Sequence, residues 1–286
     1  MVRTGDRVRG ALRLRGGELV WGTRTYVMGI VNVTPDSFSG DGVESAPAAI
    51  AHAIAQWHVG ADILDIGGES TRPGHRAVDE TVEIARVIPV IRAFRTAFPA
   101  APISIDSYKP AVVRAAHAAG ADLVNSVWGA PPELLDTVAE LEMPIVAMHN
   151  QNGTLYDGPV VDAVVAYLDD CANRAVARGI APDRVILDPG VGFGKTAEQN
   201  IAVLKALPRL VALGFPTLIG TSRKSTLGKL AGREPDDRVF ATVASTAFAI
   251  AAGVDVVRVH DVRAACDAAA VTDALVRGWR PDGWTE

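Results

Sequence analysis

Eight short, β-rich apolar runs recur along the chain, and each is followed by a polar turn and then an alanine-rich amphipathic segment. They occupy residues 27–31, 62–66, 103–106, 123–125, 145–148, 185–187, 217–220 and 256–259. The segments between them, such as AAIAHAIAQW and ETVEIARVIPVIRAF, carry apolar residues at three- and four-residue spacing, which indicates helices. Such repeated strand–helix units in a chain near the usual ~250 residues predict an α/β fold of the (β/α)8 TIM-barrel type. An open, doubly wound sheet has the same local pattern and stays the alternative.

No stretch rich in proline, glycine or serine divides the chain, so we expect a single domain over residues 1–286, with the barrel over residues 25–275. Residues 12–24, LRLRGGELVWGTR, place a Gly-Gly turn between two short alternating runs. This pattern predicts an N-terminal β-hairpin in front of the first barrel strand. We expect the hairpin to cover the bottom of the barrel.

The composition excludes several classes of protein. Apolar residues make up 49% of the chain and charged residues 21%, which is typical of a folded globular protein rather than a disordered or fibrous one. The formal net charge is -5 and the basic residues form no stripe, so no nucleic-acid partner is expected. No window approaches the ~18 apolar residues of a membrane span, and the N-terminus lacks a signal-peptide pattern. Cys171 and Cys266 match no metal or redox spacing, and we expect a cytoplasmic protein with no membrane partner.

The barrel prediction can be tested on the sequence, because the active sites of such barrels lie at the C-terminal ends of the strands. Each predicted end carries a polar residue or leads into a polar loop. In chain order these are Asn32, DIGGESTRPG at 65–74, Asp106, Asn125, MHN at 148–150, DPGVGFGK at 188–195, GTSRKS at 220–225 and RVH at 258–260. Taken singly, each is explained by a strand that emerges into water. Together they bring both signs of charge to one face, which indicates recognition of a polar ligand.

Five of these segments carry a family resemblance. VMGIVNVTPDSFS at 27–39, DIGGESTRPG, DPGVGFGK, GTSRKS and VRVHDV at 257–262 resemble, in the same order, the signature segments of dihydropteroate synthases, which are pterin-binding TIM-barrel enzymes of folate biosynthesis. The resemblance covers roughly residues 25–275. It implies a transferase that condenses 6-hydroxymethyl-7,8-dihydropterin pyrophosphate with 4-aminobenzoate to give 7,8-dihydropteroate and pyrophosphate.

The resemblance implies a pterin pocket at the strand ends. Its members here are Asp106, Asn125, Met148, Asp188, Lys224 and Arg258. We expect Asp106, Lys224 and Arg258 to be catalytic. Acceptor-only carboxylates suit the N–H donors of a pterin edge, whereas lysine and arginine can donate to its carbonyl and ring nitrogens. A turn before Pro189 would also explain Asp188, and a strand-end cap would explain Asn125.

The pyrophosphate end of the substrate needs positive charge and a divalent cation. Arg72, Arg258 and His260 are expected to supply the charge, because arginine binds phosphate in a bidentate manner. The amide oxygen of Asn32 is a hard ligand and is expected to hold Mg2+, the predicted cofactor. The alternative for Asn32 is a plain strand cap. Thr34, Asp36 and Ser37 are then expected in a loop that closes over the site.

The same resemblance places 4-aminobenzoate further out, against the loops that follow the strands. Its pocket is expected to be lined by Thr71, Pro73, Phe193, Ser222 and Lys224, with Gly220 at the start of GTSRKS. The glycines of DPGVGFGK permit a tight loop and a close approach to the backbone. Their spacing is similar to a dinucleotide fingerprint, but no ribose-binding acid in a separate βαβ unit accompanies it.

Three loops depart from the family pattern, at residues 40–44, 126–131 and 150–158. They leave the pterin and phosphate residues intact, so any change should affect the aminobenzoate side, and a sulfonamide-insensitive variant is one hypothesis. Two other functions stay open: a non-catalytic pterin-binding paralogue, and a methyl-folate:corrinoid methyltransferase-like domain, which would not need the pyrophosphate residues. The resemblance also implies a homodimer formed by the outer helices of the later units. The apolar stretch 239–252 is compatible with that, although burial against the barrel explains it equally well.

Overall fold

The computed structural model describes residues 10–33, 46–70 and 77–285. The strands in this part of the chain are Ala11–Leu14 (β1), Gly17–Val20 (β2), Tyr26–Asn32 (β3), Ile63–Gly67 (β4), Ile103–Asp106 (β5), Leu123–Ser126 (β6), Ile145–Met148 (β7), Val185–Asp188 (β8), Leu218–Ile219 (β9) and Val256–Val259 (β10). The α-helices are Ala46–His58 (α1), Glu80–Ala97 (α2), Pro110–Ala119 (α3), Pro132–Glu140 (α4), Val160–Ala177 (α5), Ala197–Lys205 (α6), Leu207–Val211 (α7), Ser225–Ala231 (α8), Val239–Ala251 (α9) and Val262–Val276 (α10).

Strands β3 to β10 form one parallel sheet with the order β8-β7-β6-β5-β4-β3-β10-β9. A parallel bridge between Leu187 and Thr217 joins its two ends, so the sheet closes into a barrel with the helices outside. The predicted (β/α)8 barrel is therefore confirmed, and the open sheet is wrong, because an open sheet would leave those ends apart.

The shortest barrel strand is β9, which has two residues where the sequence predicts 217–220. Thr217 is held by a side chain in addition to the backbone hydrogen bonds of the sheet. The Oδ2 atom of Asp255 accepts from the backbone N of Thr217 at 3.0 Å and from its hydroxyl at 3.3 Å. The carboxylate therefore replaces part of the strand pairing at this seam of the barrel.

The N-terminal hairpin is confirmed as a cover for the bottom of the barrel. Strands β1 and β2 pair antiparallel across a turn at Gly16, which has φ 91°. Leu12, Leu19 and Trp21 are buried against the inward side chains at the N-terminal ends of the barrel strands, such as Met28. The indole Nε1 of Trp21 donates to the carbonyl oxygen of Asp183 at 3.1 Å. The cover is thus an apolar plug with its one polar indole atom satisfied.

Removal of this plug should affect stability and not catalysis. Leu12 is 1% exposed, so Leu12→Ala leaves a cavity and should lower the free energy of unfolding by ~2–5 kcal/mol. The strand C-termini lie at the opposite end of the barrel, so kcat should stay unchanged. Chemical denaturation and steady-state kinetics measure the two effects, with the exposed Arg13→Ala as the control. A fall in kcat at unchanged stability would contradict the placement of the plug.

The core between the barrel and its helices is built from outward-facing strand residues and the apolar faces of the helices, with members such as Ile91, Phe94 and Leu134 that are fully buried. Cys171 lies in this core and Cys266 is half-buried; neither is in a disulfide. Of the helices in the described ranges, none combines the length and the apolar character that a membrane crossing requires.

Candidate active site at the strand C-termini

Four strands place polar side chains in contact inside the barrel. Arg258 on β10 donates from Nε to Asp65 Oδ2 at 2.6 Å and from Nη2 to Asp106 Oδ2 at 2.7 Å. Asn125 on β6 donates from Nδ2 to the same Asp65 oxygen at 2.8 Å. The side chain of Arg258 is 16% exposed and the two carboxylates are buried. Three of the residues predicted from the sequence are thus in one network, which we call the inner network.

Asp65 completes the inner network and was not predicted. It lies within the apolar run 62–66, and it shares the inward face of β4 with Ile63, because side chains alternate along a strand. A charged residue on the inward face of an otherwise apolar strand is a signal that sequence reasoning could have used. Its carboxylate is fully buried and fixes both Arg258 and Asn125.

Several acceptor atoms in the barrel interior find no partner among the described residues. They are Oδ1 of Asp65, Oδ1 of Asp106 and the hydroxyl oxygen of Ser104. Ser104 and Asp106 lie two residues apart on β5 and therefore on the same face. An unsatisfied buried polar atom costs about 1–3 kcal/mol, so a ligand that brings N–H donors would be stabilised here. Together with Asp188 at the end of β8, these atoms are acceptors on the inward side of the strand C-termini, and we call this group of acceptors the acceptor-rich pocket.

Burial affects the pKa values of two carboxylates of the site, Asp106 and Asp188. It raises the pKa of Asp106 to about 7; Arg258 opposes this shift, and the negative charges of Asp65, Glu83 and Glu69 add to it. Burial also raises the pKa of Asp188 to about 6, although its Oδ1 accepts from the backbone N of Gly190 at 2.8 Å. For Arg258, burial opposes the charge, but Asp65 and Asp106 outweigh it and raise the pKa.

Burial disfavours the positive charge that was expected of His260. Burial, with Arg258 and Arg223 next in effect, lowers the pKa of His260 to about 3. Its Nδ1 contacts the hydroxyl of Ser222 at 3.0 Å, and its backbone N donates to the same oxygen at 3.1 Å. The protein around the imidazole therefore favours its neutral form, whereas a bound anion would favour the charged one. Sequence position could not reveal this, because the cause is the burial beside two arginines.

Lys224 and Phe193 meet at the outer edge of the site. The Nζ atom of Lys224 lies 3.9 Å from the centroid of the Phe193 ring. Helix α8 begins directly after Lys224, with Ser225 as its first residue. The preceding residue, Arg223, has φ 56°, and a bidentate ion pair with Asp261 holds it there at 2.8 and 3.1 Å. This turn directs Lys224 over the aromatic ring.

The remaining predicted residues are only partly described. Met148 is buried at the end of β7, Gly220 directly follows β9, and Asn32 is half-buried at the end of β3. Thr71, Arg72 and Pro73 lie outside the described residues, as do Thr34, Asp36, Ser37 and the loop 40–44. Within the described ranges, no group of three or more His, Cys, Asp or Glu side chains could hold a metal ion.

Comparisons with known proteins agree with one another. The family described as "Pterin binding enzyme" matches residues 28–260. A dihydropteroate synthase of Synechocystis sp. is 47% identical over 271 residues, which cover 91% of this chain and 92% of that protein. The structure of Xanthomonas albilineans dihydropteroate synthase with 4-aminobenzoic acid has a TM-score of 0.87 at 45% identity and covers 93% of this chain and 98% of its own. The complex of the same enzyme with 7,8-dihydropteroate has a TM-score of 0.85 at 44% identity, with the same coverage.

Proposed function

The chain belongs to the dihydropteroate synthase family of pterin-binding enzymes, and we infer that the inner network and its acceptor-rich pocket are the site of that family's reaction. The enzyme is a transferase of folate synthesis. It condenses 6-hydroxymethyl-7,8-dihydropterin pyrophosphate with 4-aminobenzoate. The observation that supports the site most directly is the pair of unpartnered buried oxygens on Asp65 and Asp106.

Pterin recognition follows from the donors and acceptors that these residues offer. The amino-pyrimidine edge of a pterin presents N–H groups, and ionised Asp106 and Asp188 present only acceptors. The inner network holds Asp106 by one oxygen, Oδ2, and the other oxygen is buried without a partner among the described residues, so we assign it to a ligand donor. Asn125 is fixed through Asp65 and offers its amide oxygen. Buried groups of this kind reject analogues that lack the matching hydrogen-bond partners.

The ionisation of Asp106 and Asp188 predicts an acid limb in the rate. Only the ionised carboxylates are acceptor-only, and burial raises the pKa of Asp188 to about 6 and that of Asp106 to about 7. We therefore expect kcat/KM for the pterin substrate to fall as the pH decreases through 7 and 6, and to be constant above these values. A pH–rate profile measures this, with fluorescence titration of a pterin without pyrophosphate as the control for ionisation of the phosphate. A limb below pH 5 would contradict the assignment.

The chemical step requires little from a nucleophilic side chain. The bond between C9 of the pterin and oxygen breaks, and its electron pair leaves with pyrophosphate. The resulting cation is delocalised into the pterin ring, and the carboxylate of Asp106 stabilises it electrostatically. The nitrogen lone pair of 4-aminobenzoate then forms the bond to C9, and the proton that this nitrogen releases is taken up by the departed pyrophosphate or by water. Arg258 is held between Asp65 and Asp106. It orients the Asp106 carboxylate and limits the basicity of that carboxylate.

Arg258 was also expected at the pyrophosphate end, but its guanidinium is held by Asp65 and Asp106 inside the barrel. The pyrophosphate end is therefore assigned to Arg72, Asn32 and the imidazole of His260, which acts as a hydrogen-bond donor. The donor chemistry fits Mg2+, because Asn32 offers a hard amide oxygen at the end of β3. When bound, Mg2+ would neutralise charge on the leaving pyrophosphate.

The aminobenzoate pocket is assigned to the outer edge of the site. Phe193 and Lys224 supply an aromatic face and a cation within 3.9 Å of each other, which suits a benzoate ring with a carboxylate. Ser222, Gly220, Thr71 and Pro73 are proposed to complete its walls.

Turnover distinguishes the proposed synthase function from its alternatives. Mass spectrometry should detect dihydropteroate only when both substrates are present. Pterin binding without product would favour the paralogue, and transfer of a methyl group from a methyl-folate would favour the corrinoid type.

The homodimer is proposed to form through the outer faces of α9 and α10. Phe240 on α9 is 80% exposed and Leu275 on α10 is 79% exposed, so burial against the barrel does not account for them. Phe240→Asp and Leu275→Asp should each convert a dimer into a monomer in sedimentation velocity. Val82→Asp, at a 45% exposed position on α2, is the matched control. A monomeric unmodified chain would contradict this interface.

The two free cysteines of the chain, Cys171 and Cys266, support the proposed cytoplasmic location, where thiols stay reduced.

A further inference from the structure

Two neighbouring segments at the top of the barrel pack backbone against backbone. One is residues 149–158, which follow β7, and the other is residues 189–195, which follow β8. Gly190 has φ 64° and Gly194 has φ 57°, and both lie where a side chain would collide with the first segment. A Cβ atom on Gly194 would lie 2.6 Å from the carbonyl oxygen of Gln151, and one on Gly190 would overlap the carbonyl of His149. The glycines of DPGVGFGK thus permit a close approach of two protein segments.

Lys195 joins the two segments from the inside. It is 8% exposed, and its Nζ donates to the carbonyl oxygens of Gly190 and Phe193, both at 3.0 Å. It also contacts Nδ1 of His149 at 2.9 Å. An ammonium group would donate to all three atoms, and a neutral amine would donate to the two carbonyls and accept from an Nδ1–H. Burial lowers the pKa of Lys195 to about 7, and the three contacts can be satisfied in either state.

The two segments are also joined on their outer side. The hydroxyl of Tyr156 donates to the carbonyl oxygen of Gly194 at 2.8 Å. Gln199 donates from Nε2 to the carbonyl oxygen of Thr154 at 2.9 Å, while its backbone N and side chain form a capping box with Thr196 at the start of α6. The segment after β7 is therefore fixed to the residues on both sides of Lys195.

These contacts surround Phe193. Its carbonyl oxygen is held by Lys195, the next residue is held by Tyr156, and its ring lies under the Lys224 ammonium group. A Cβ atom on Gly192 would meet the Lys224 side chain at 2.8 Å, so the loop and Lys224 are in direct contact. These contacts connect the segment after β7 to Phe193 and, through Gly192, to the side chain of Lys224.

We propose that Lys195 is a positioning residue that couples the segment 149–158 to Phe193 and so sets the affinity for the aromatic amine substrate. Lys195 touches no part of this substrate in the proposed pocket and acts through the Phe193 carbonyl. The inference rests on the proposed function only for the identity of 4-aminobenzoate as that amine. Through Lys195 and Phe193, the divergent sequence HNQNGTLYDG at 149–158 would then affect the binding of aminobenzoate and of sulfonamides.

Kinetics test the effect on affinity. Lys195→Met keeps the length of the side chain and removes its donors, so KM for 4-aminobenzoate should increase by roughly 10-fold, with KM for the pterin pyrophosphate within about 2-fold of the unmodified enzyme. The assay is run near pH 8, above the pKa of about 7 of Lys195 and the pKa of about 6 of Asp188. Lys195 is then largely neutral in the unmodified enzyme, so the substitution removes hydrogen-bond donors more than charge and leaves Asp188 ionised. Tyr156→Phe removes one hydroxyl and should increase the same KM by roughly 3-fold. The exposed Lys205→Met at the end of α6 is the matched control and should change neither KM.

Hydrogen exchange tests the coupling without any turnover, so it stays decisive if the proposed function fails. Lys195→Met should increase amide exchange in residues 149–158, and Tyr156→Phe should increase it in residues 189–195. Exchange that increases only in the segment carrying the substitution would overturn the proposal. An equal increase in both KM values would overturn it as well, because a merely structural role affects both substrates.

Discussion

Asp188→Asn is expected to reduce kcat/KM by ~10²–10⁴ while the protein stays folded. The amide keeps an oxygen for the backbone N of Gly190, which Asp188 Oδ1 now accepts at 2.8 Å. It places an NH2 group where the second carboxylate oxygen stands. Two donors would then face each other in the pterin complex, and the loss is large because the site is buried and water cannot compensate.

The stability of the Asp188→Asn protein, unlike its activity, is not expected to fall. Burial raises the pKa of Asp188 to about 6 from its ordinary value near 4, so the folded state binds the proton more tightly than the unfolded state. The cost of its charge therefore develops between about pH 4 and pH 6 and persists above. Asp188→Asn carries no charge, so its melting temperature at pH 8 should equal or exceed that of the unmodified enzyme. Scanning calorimetry at pH 4 and pH 8 measures this, and a variant that is active within about fivefold would contradict the role of Asp188.

Arg258→Met is expected to damage both stability and activity. Arg258 is the cation in ion pairs with Asp65 and Asp106 inside the barrel, at 2.6 and 2.7 Å. Removal of one partner from a buried ion pair costs about 3–5 kcal/mol, because the remaining charges are left uncompensated. For a chain of this size that corresponds to a decrease in melting temperature on the order of 10 °C. Turnover should fall with it, since Asp106 loses its orienting contact.

A second substitution makes this prediction specific. Asp65→Asn in the Arg258→Met background removes one uncompensated charge, so it should restore part of the lost stability but not the activity. Arg263→Met, on the exposed face of α10 where the side chain is 76% exposed, is the matched control and should change neither. If Asp65→Asn lowers the stability of the Arg258→Met protein further, the inner network does not hold the charges as described.

Much of the fold could be predicted because the strands are short apolar runs bounded by polar loops. The predicted bounds of β5, β7 and β10 coincide with the observed ones, and the hairpin lies where its Gly-Gly turn indicated. Strand β9 was predicted too long, because Asp255 binds Thr217 from 38 residues away and replaces part of the ladder. Local patterns contain no information on such distant side-chain contacts.

The site could be predicted as a set of positions but not as a network. Asp106, Asn125 and Arg258 lie at predicted strand ends, and the barrel geometry brings them together. Asp65 was missed because it was counted in the run 62–66 and in the segment DIGGESTRPG without being assigned a role of its own. The positive charge expected of His260 is disfavoured by burial, with Arg258 and Arg223 next in effect, and this environment is not visible in the sequence. The role of Lys195 depends on a contact with His149, 46 residues earlier, which the sequence pattern does not indicate.

The central claim is that the acceptor-rich pocket formed by Asp106, Asp188 and the inner network carries the condensation of a pterin pyrophosphate with 4-aminobenzoate. Pyrophosphate release by the purified protein with Mg2+ tests it most directly, beside Asp188→Asn and a reaction without 4-aminobenzoate. Release that requires both substrates, equals the dihydropteroate formed and is lost in the variant is the predicted result. Pterin binding without release, or release that the Asp188→Asn protein retains, would contradict it.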